Sequence, residues 1–313
     1  MTTYLSFDIG GTDIKFGVVN DQGDILRQGK VKTASAGEDI IQTIVDIKQD
    51  LSQTYRFDGA AFSVPGFVNV DTGYLKAGGA ISDFCEFNFK DILADKLALP
   101  VEVENDVNCV ALAEKWQGKA KDMSDFICIT LGTGIGGAIY TNNQLIRGHR
   151  SMAGEFGYTF IHYAHESQDK ASETMNLTAS VRDGLRRRYA LYKGLSGFEH
   201  ISGKDIFSLA EGGDSVAVRV IDEFYKSIAV GLHNLTFILN PEKIIIGGAI
   251  SERPDLIPNV TQEMKRLLKA IPVINKLNLD EVVSIENTSF TNDNGLIGAV
   301  YHFLIMREKE RNR

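Results

Sequence analysis

Two glycine-rich segments carry the first chemical suggestion. Asp8-Ile9-Gly10-Gly11-Thr12 and Leu131-Gly132-Thr133-Gly134-Ile135-Gly136-Gly137 each follow an apolar run. Glycine has no Cβ, so backbone N–H groups in such a loop approach an anion closely, and consecutive amides can form a phosphate nest. Thr12 adds a hydroxyl donor and Lys15 a positive charge. Asp8, at a strand end, is placed to hold Mg2+ through water, because Mg2+ takes few carboxylates and keeps several waters. The plain alternative is a glycine hairpin capped by Asp8. The second loop is not a Walker A loop, since no Gly-Lys-Ser/Thr follows. Nor is it a dinucleotide fingerprint, since a strand rather than a helix comes next. Together the two loops read as a two-sided phosphate clamp.

Three further segments hold polar groups where chemistry could use them. Glu104-Asn105-Asp106-Val107-Asn108 lies between a strand and a helix. Asn or Asp there serves as a helix N-cap. A carboxylate there could also accept the proton of an attacking hydroxyl, and one residue can cap while the other catalyses. Gly154-Glu155-Phe156-Gly157-Tyr158 sets a carboxylate between glycines, as a ligand or as a buried structural Glu. Ile244–Ile246 runs into Gly247-Gly248, where a flat base or ribose could lie against backbone, or where a strand simply turns. His162, His165 and Glu166 have metal-like spacing but sit in a polar stretch without a second ligand pair, which reads as a solvated loop.

These residues need elements to carry them. Strands are expected at Tyr4–Ile9, Lys15–Asn20, Ile25–Thr33, Gly59–Val64 and Val101–Glu104. Helices are expected at Asp39–Tyr55, Phe89–Leu97 and Val107–Trp116, the first from apolar spacing at Ile40, Ile41, Ile44, Ile47 and Leu51. The pattern then restarts: strand Phe126–Leu131, a glycine loop, strand Gly137–Tyr140, a polar turn, strand Leu145–Gly148. A strand, glycine loop, strand, polar turn, strand order thus occurs twice, which reads as internal duplication of one α/β unit. A long helix Asp222–Leu239, a strand Lys243–Ile246 and a final helix from Gly295 follow, the helix at 239 stopped by Asn240-Pro241. The expected division is an N-terminal lobe over 1–118 and a second over 119–294, with the helix at 295–313 packing back on the first.

The 313 residues are 43% hydrophobic and 24% charged, which suits a globular chain with a sizeable core. A net charge of −8 argues against nucleic acid or an anionic membrane as partner. Cys85, Cys109 and Cys128 are widely spaced and form no CxxC pair, so neither disulfides nor a thiolate metal site is indicated, and a reducing cytoplasm fits. No signal peptide is visible, and no apolar run approaches the ~20 residues of a membrane span.

At this point the ordered set of motifs resembles a known family. DIGGT at Asp8–Thr12, SVPGFVN at Ser63–Asn69, ENDVN at Glu104–Asn108, LGTGIGG at Leu131–Gly137 and AGEFGY at Ala153–Tyr158 resemble the ROK family of bacterial sugar kinases and sugar-responsive repressors. The resemblance spans essentially the whole chain. It implies an α/β, two-lobed actin-like ATPase (ribonuclease H-like) fold, with ATP, Mg2+ and a sugar in the interdomain cleft. It implies transfer of the γ-phosphate to a hexose or β-glucoside hydroxyl, usually the 6-hydroxyl. Asp106 then matches the catalytic base, Asn105 and Glu155 match sugar ligands, and Gly66 lies in a loop lining the sugar site. Asp8, Gly11, Thr12, Thr133 and Gly134 match phosphate and metal positions. A homodimer is implied as well.

Two departures bear on the sugar. Tyr158 stands where many members have histidine. The cysteine-rich zinc loop of many members is missing from Ile161–Ser180, so no structural zinc is expected, and Asn176 falls where that motif carries a sugar-binding glutamate. Losing both polar ligands would make room for a β-linked aglycone, and zinc-less members include β-glucoside kinases. N-acetylmannosamine, fructose and glucose stay open as acceptors. Repressors of the family carry an added N-terminal helix-turn-helix, for which a first strand at about residue 4 leaves no space. An actin-like ATPase without a sugar substrate would have no need of the ENDVN and GEFGY carboxylates.

Overall fold

The computed structural model describes residues 2–162, 174–290 and 293–312. The chain forms two compact units, one of Met1–Asp122, Leu145–Ala153 and Asn292–Arg313, the other of Met123–Gln144 and Gly154–Thr291.

In the first unit, β1 (Thr3–Ile9), β2 (Asp13–Asn20) and β3 (Ile25–Lys32) form an antiparallel meander. Helix α1 (Gly37–Leu51) buries Ile40, Ile41, Ile44 and Leu51, a stripe at helical spacing. Then come β4 (Ala60–Val64), β5 (Phe67–Asn69), β6 (Tyr74–Ala77), β7 (Phe87–Asn88), α2 (Phe89–Leu97), β8 (Val101–Asn105) and α3 (Asp106–Gln117). Strands β1, β4 and β8 are parallel, and the sheet order is β3-β2-β1-β4-β8. Continuous burial along β4 and most of β8 follows from helices covering the sheet. Phe7 stacks on Phe62 at 5.0 Å, and Phe89 meets Phe62 edge-on at 5.2 Å.

The second unit repeats this plan. Strands β9 (Phe126–Leu131), β10 (Ile135–Thr141) and β11 (Gln144–Ile146) precede helix α4 (Met175–Ala179) and a π-helical stretch, Val181–Arg187, that runs into α5 (Arg188–Lys193). Helices α6 (Gly203–Glu211) and α7 (Ser215–Leu239) lead to β12 (Lys243–Gly247), α8 (Leu256–Ala270) and β13 (Ser284–Asn287). The order β11-β10-β9-β12-β13, with β9, β12 and β13 parallel, copies that of the first sheet. The last helix, α9 (Asn294–Arg311), counts with the first unit, where Leu296, Ala299, Val300 and Phe303 pack on Tyr4, Val19, Ala61 and Cys109.

Some elements differ from the sequence expectation. Helix α7 starts at Ser215 rather than Asp222, because the Asp214 side chain caps it by accepting from the N–H groups of Val216 and Ala217. Strand β10 starts at Ile135 rather than Gly137, so Ile135 and Gly136 are strand residues rather than loop. The small sheet β5-β6-β7 went unassigned, since strands of 3, 4 and 2 residues are too short to show alternation.

Candidate active site

In the first unit the sequence-predicted site residues sit at or just past the C-terminal ends of parallel strands, where open α/β sheets place their ligands, except Lys15, which lies early in the antiparallel β2 opposite Asp8. Asp8 lies near the end of β1, in register with Ser63 of β4. Ser63 Oγ donates to Asp8 Oδ1 at 2.7 Å, and Lys15 Nζ lies 3.6 Å from Asp8 Oδ2. Gly10 N–H donates to Asp13 O at 3.0 Å, and Thr33 Oγ1 donates to Gly10 O at 2.6 Å. Gly10 therefore closes the turn, while Gly11 and Thr12 stand exposed at its tip.

Asn105 and Asp106 follow β8 and open α3. Asn105 is the N-cap: its Oδ1 accepts from Val107 N at 2.9 Å and from Asn108 N at 3.1 Å. Its Nδ2 donates to Gly66 O at 3.0 Å and to Asp106 Oδ1 at 2.9 Å. Asp106, the first helical residue, also accepts from Val107 N through Oδ1 at 2.9 Å. One residue caps and the next presents a half-buried carboxylate on the same turn. Gly66 has φ +98°, and a Cβ there would fall 1.9 Å from Ala77 O. Only glycine carries this turn without strain.

A buried charge cluster underlies that turn, and sequence reading missed it. Glu104, 1% exposed, accepts from Asn105 N at 2.8 Å and Asn108 Nδ2 at 3.0 Å through Oε1. Its Oε2 takes Arg147 Nε at 2.7 Å, with His302 Nδ1 3.6 Å away. Burial pushes the Glu104 carboxyl up, but Arg147, His302 and Asn108 outweigh burial and hold it below the usual carboxylate range. His302 is fully buried, and desolvation pushes its imidazole down to about 4, so it is neutral at pH 7. On the same face of β8, Glu102 pairs with Lys90 at 2.8 Å and with Arg307 at 3.7 Å. Burial dominates there and raises the Glu102 carboxyl.

In the second unit, Gly132 to Gly134 link β9 to β10. Gly132 N donates to Gly134 O at 3.0 Å and leaves Thr133 and Gly134 exposed at the tip. Gly137 has a packing role instead: a Cβ there would lie 2.2 Å from the Phe156 ring. That contact seats the turn that carries Glu155, a half-buried carboxyl raised by desolvation. Tyr158, at the end of the turn, is 65% exposed. Asn176 Oδ1 accepts from Ile135 N at 2.6 Å. Gly247 ends β12, and Gly248 O accepts from Ser251 Oγ at 2.8 Å. His162 is exposed, while His165 and Glu166 lie outside the described residues. Among the described residues no three His, Cys, Asp or Glu side chains converge as a metal cluster, and no helix is long and apolar enough to cross a membrane. A single partly exposed carboxylate such as Asp8 suits Mg2+, which keeps most of its waters, and does not suit a cation that needs an all-protein cage.

Comparison with known proteins gives the family and the fold. The ROK family pattern matches residues 4–305. A β-glucoside kinase of Listeria monocytogenes is 41% identical over 308 residues, which covers 98% of each chain. Among solved structures, a ROK family protein from Streptococcus pneumoniae in complex with sucrose has TM-score 0.85 at 29% identity, covering 98% of this chain and 100% of that one. A ROK glucokinase from Streptomyces griseus in complex with glucose and AMPPNP has TM-score 0.78 at 27% identity, covering 95% and 97%. These likenesses carry the two-lobed actin-like ATPase fold, and the chain belongs to the ROK family.

Proposed function

We propose that this ATP-dependent sugar kinase phosphorylates the 6-hydroxyl of a β-glucoside, with Asp106 as the general base. The observation that carries the reading is the first turn of α3. There the Asp106 carboxylate is oriented by two donors, Asn105 Nδ2 and Val107 N–H, each at 2.9 Å. A carboxylate fixed in this way can take the hydroxyl proton as the oxygen attacks the γ-phosphorus. Asn105, Gly66 and Glu155 orient the sugar. Gly11, Thr12, Lys15, Thr133 and Gly134 hold phosphate oxygens, and Gly10, by closing its turn, shapes that loop. Gly132 does the same in the second loop, and Gly247 and Gly248 meet the nucleoside end. Asp8 holds Mg2+ through water, and Mg2+ when bound neutralises charge on the phosphates. Positioning and charge neutralisation do most of the work in phosphoryl transfer.

The β-glucoside preference draws support from the relative named β-glucoside kinase at 41% identity and from the exposed Tyr158 ring. Glucose, N-acetylmannosamine and fructose are the competing acceptors. A coupled ADP-release assay across cellobiose and these hexoses tests the choice. Cellobiose should exceed glucose by about tenfold or more in kcat/KM, a difference of one good subsite; a higher value for any free hexose overturns it. Asp106→Asn should lower kcat by about 10²–10⁴-fold while calorimetry still detects the sugar. Near-wild-type turnover would remove Asp106 from its role. The same reading makes the enzyme a cytoplasmic homodimer, on the wide spacing of its three cysteines, which form no CxxC pair, and on family resemblance.

A further inference from the structure

The residue that stands in place of the family's sugar-binding glutamate is engaged elsewhere. Asn176, in the first turn of α4, accepts the Ile135 N–H through Oδ1 at 2.6 Å. Ile135 is the first residue of β10, directly after Gly132-Thr133-Gly134. Just past α4, Val181, the first residue of the π-helical stretch, donates its N–H to Gly132 O at 2.9 Å. Asn176 in α4 and Val181 just beyond it thus bracket the two ends of the glycine loop. The neighbouring glycines fit this contact: a Cβ on Gly134 would lie 3.3 Å from Asn176 Oδ1, and one on Gly157 would lie 2.8 Å from Asn176 Cγ. The Asn176 amide is wedged between the phosphate loop and the Glu155–Tyr158 turn. A loop of exposed glycines has high conformational freedom, and each anchor that restricts it helps hold the amides in place for a ligand.

We infer that Asn176 is a positioning residue for the phosphate loop and thereby for the nucleotide, rather than a contact to the sugar. The inference rests on the reading of Gly132–Gly134 as a phosphate loop. It predicts a split between the two substrates. A sugar ligand, when truncated, raises the KM for sugar. A loop anchor raises the KM for ATP, because the amides that meet the phosphates are no longer held.

Asn176→Ala removes the acceptor and keeps a good helix former. The ATP KM should rise about fivefold or more, with the sugar KM within about twofold of wild type. Hydrogen exchange supplies a readout independent of turnover: the Ile135 amide should lose protection in Asn176→Ala and keep it in Asn176→Asp, whose carboxylate still accepts. An unchanged ATP KM, or Ile135 protection equal to wild type in Asn176→Ala, overturns the inference. So does loss of Ile135 protection in Asn176→Asp, which decides the matter if the alanine variant does not fold. Were no phosphate transferred from ATP to any sugar, the kinase reading would fail, and the exchange data would still report whether Asn176 anchors the loop.

Discussion

Gly66 shows how much a single residue can hold at this site. Its carbonyl accepts Asn105 Nδ2, and its φ is +98°. An L-residue pays strain in that region, of order 1–2 kcal/mol, and a Cβ would also strike Ala77 O. Gly66→Ala should therefore cost about 2 kcal/mol or more in a urea titration. The same substitution should lower kcat, since Asn105 loses an anchor and Asp106 turns with it. Wild-type stability for Gly66→Ala would show that the turn relaxes without penalty. The neighbouring Asn105 also explains why capping and catalysis did not have to be chosen between: its Oδ1 closes the helix end, and its Nδ2 reaches Asp106 and Gly66.

Among the elements, strand β8 gives the sharpest contrast between what the sequence discloses and what it conceals. The glycine loops and the start of α3 were legible because their signals are local: glycines after an apolar run, and Asn-Asp ahead of a helical stripe. Arg147 was not legible as the partner of Glu104. The two are 43 residues apart, and only the packing of Leu145–Ala153 into the first unit joins them. Ser63 beside Asp8 was hidden for the same reason, since it arrives through the parallel register of β4 on β1. The Arg147–Glu104 pair has a measurable consequence. Removing one partner leaves a buried charge without compensation, which costs about 3–5 kcal/mol, whereas removing both can be close to neutral. Arg147→Met should accordingly unfold at much lower urea concentration, and adding Glu104→Gln should restore most of the loss. A double variant no more stable than Arg147→Met would mean that the cation does not serve the carboxylate.

On the scale of the whole molecule, the two units share one strand order but differ in their ionisable interiors. The first unit carries neutral His302 in its core, with its imidazole pushed down to about 4 by burial. A group depressed from about 6.5 stabilises the fold above that pH, and the stability is lost as pH falls toward the folded value. By pH 5 the loss is about 2 kcal/mol. Glu102 in the same unit works in the opposite direction, because burial raises it and acid relieves its buried charge, so it offsets part of the loss. In the second unit the raised Glu155 carboxyl also favours acid, and Asp214, held near 2 mainly by its hydrogen bond from Lys193, keeps its contribution until far lower pH. Acid should therefore weaken the first unit before the second. Between pH 7 and pH 5, amides of β8 and α9 should lose hydrogen-exchange protection, corrected for intrinsic rate, while those of β9 and β12 hold theirs. His302→Met should flatten that difference, since the replacement has no proton to gain. Equal loss in both units, or an unchanged profile in His302→Met, would show that His302 does not set the acid limit of the first unit.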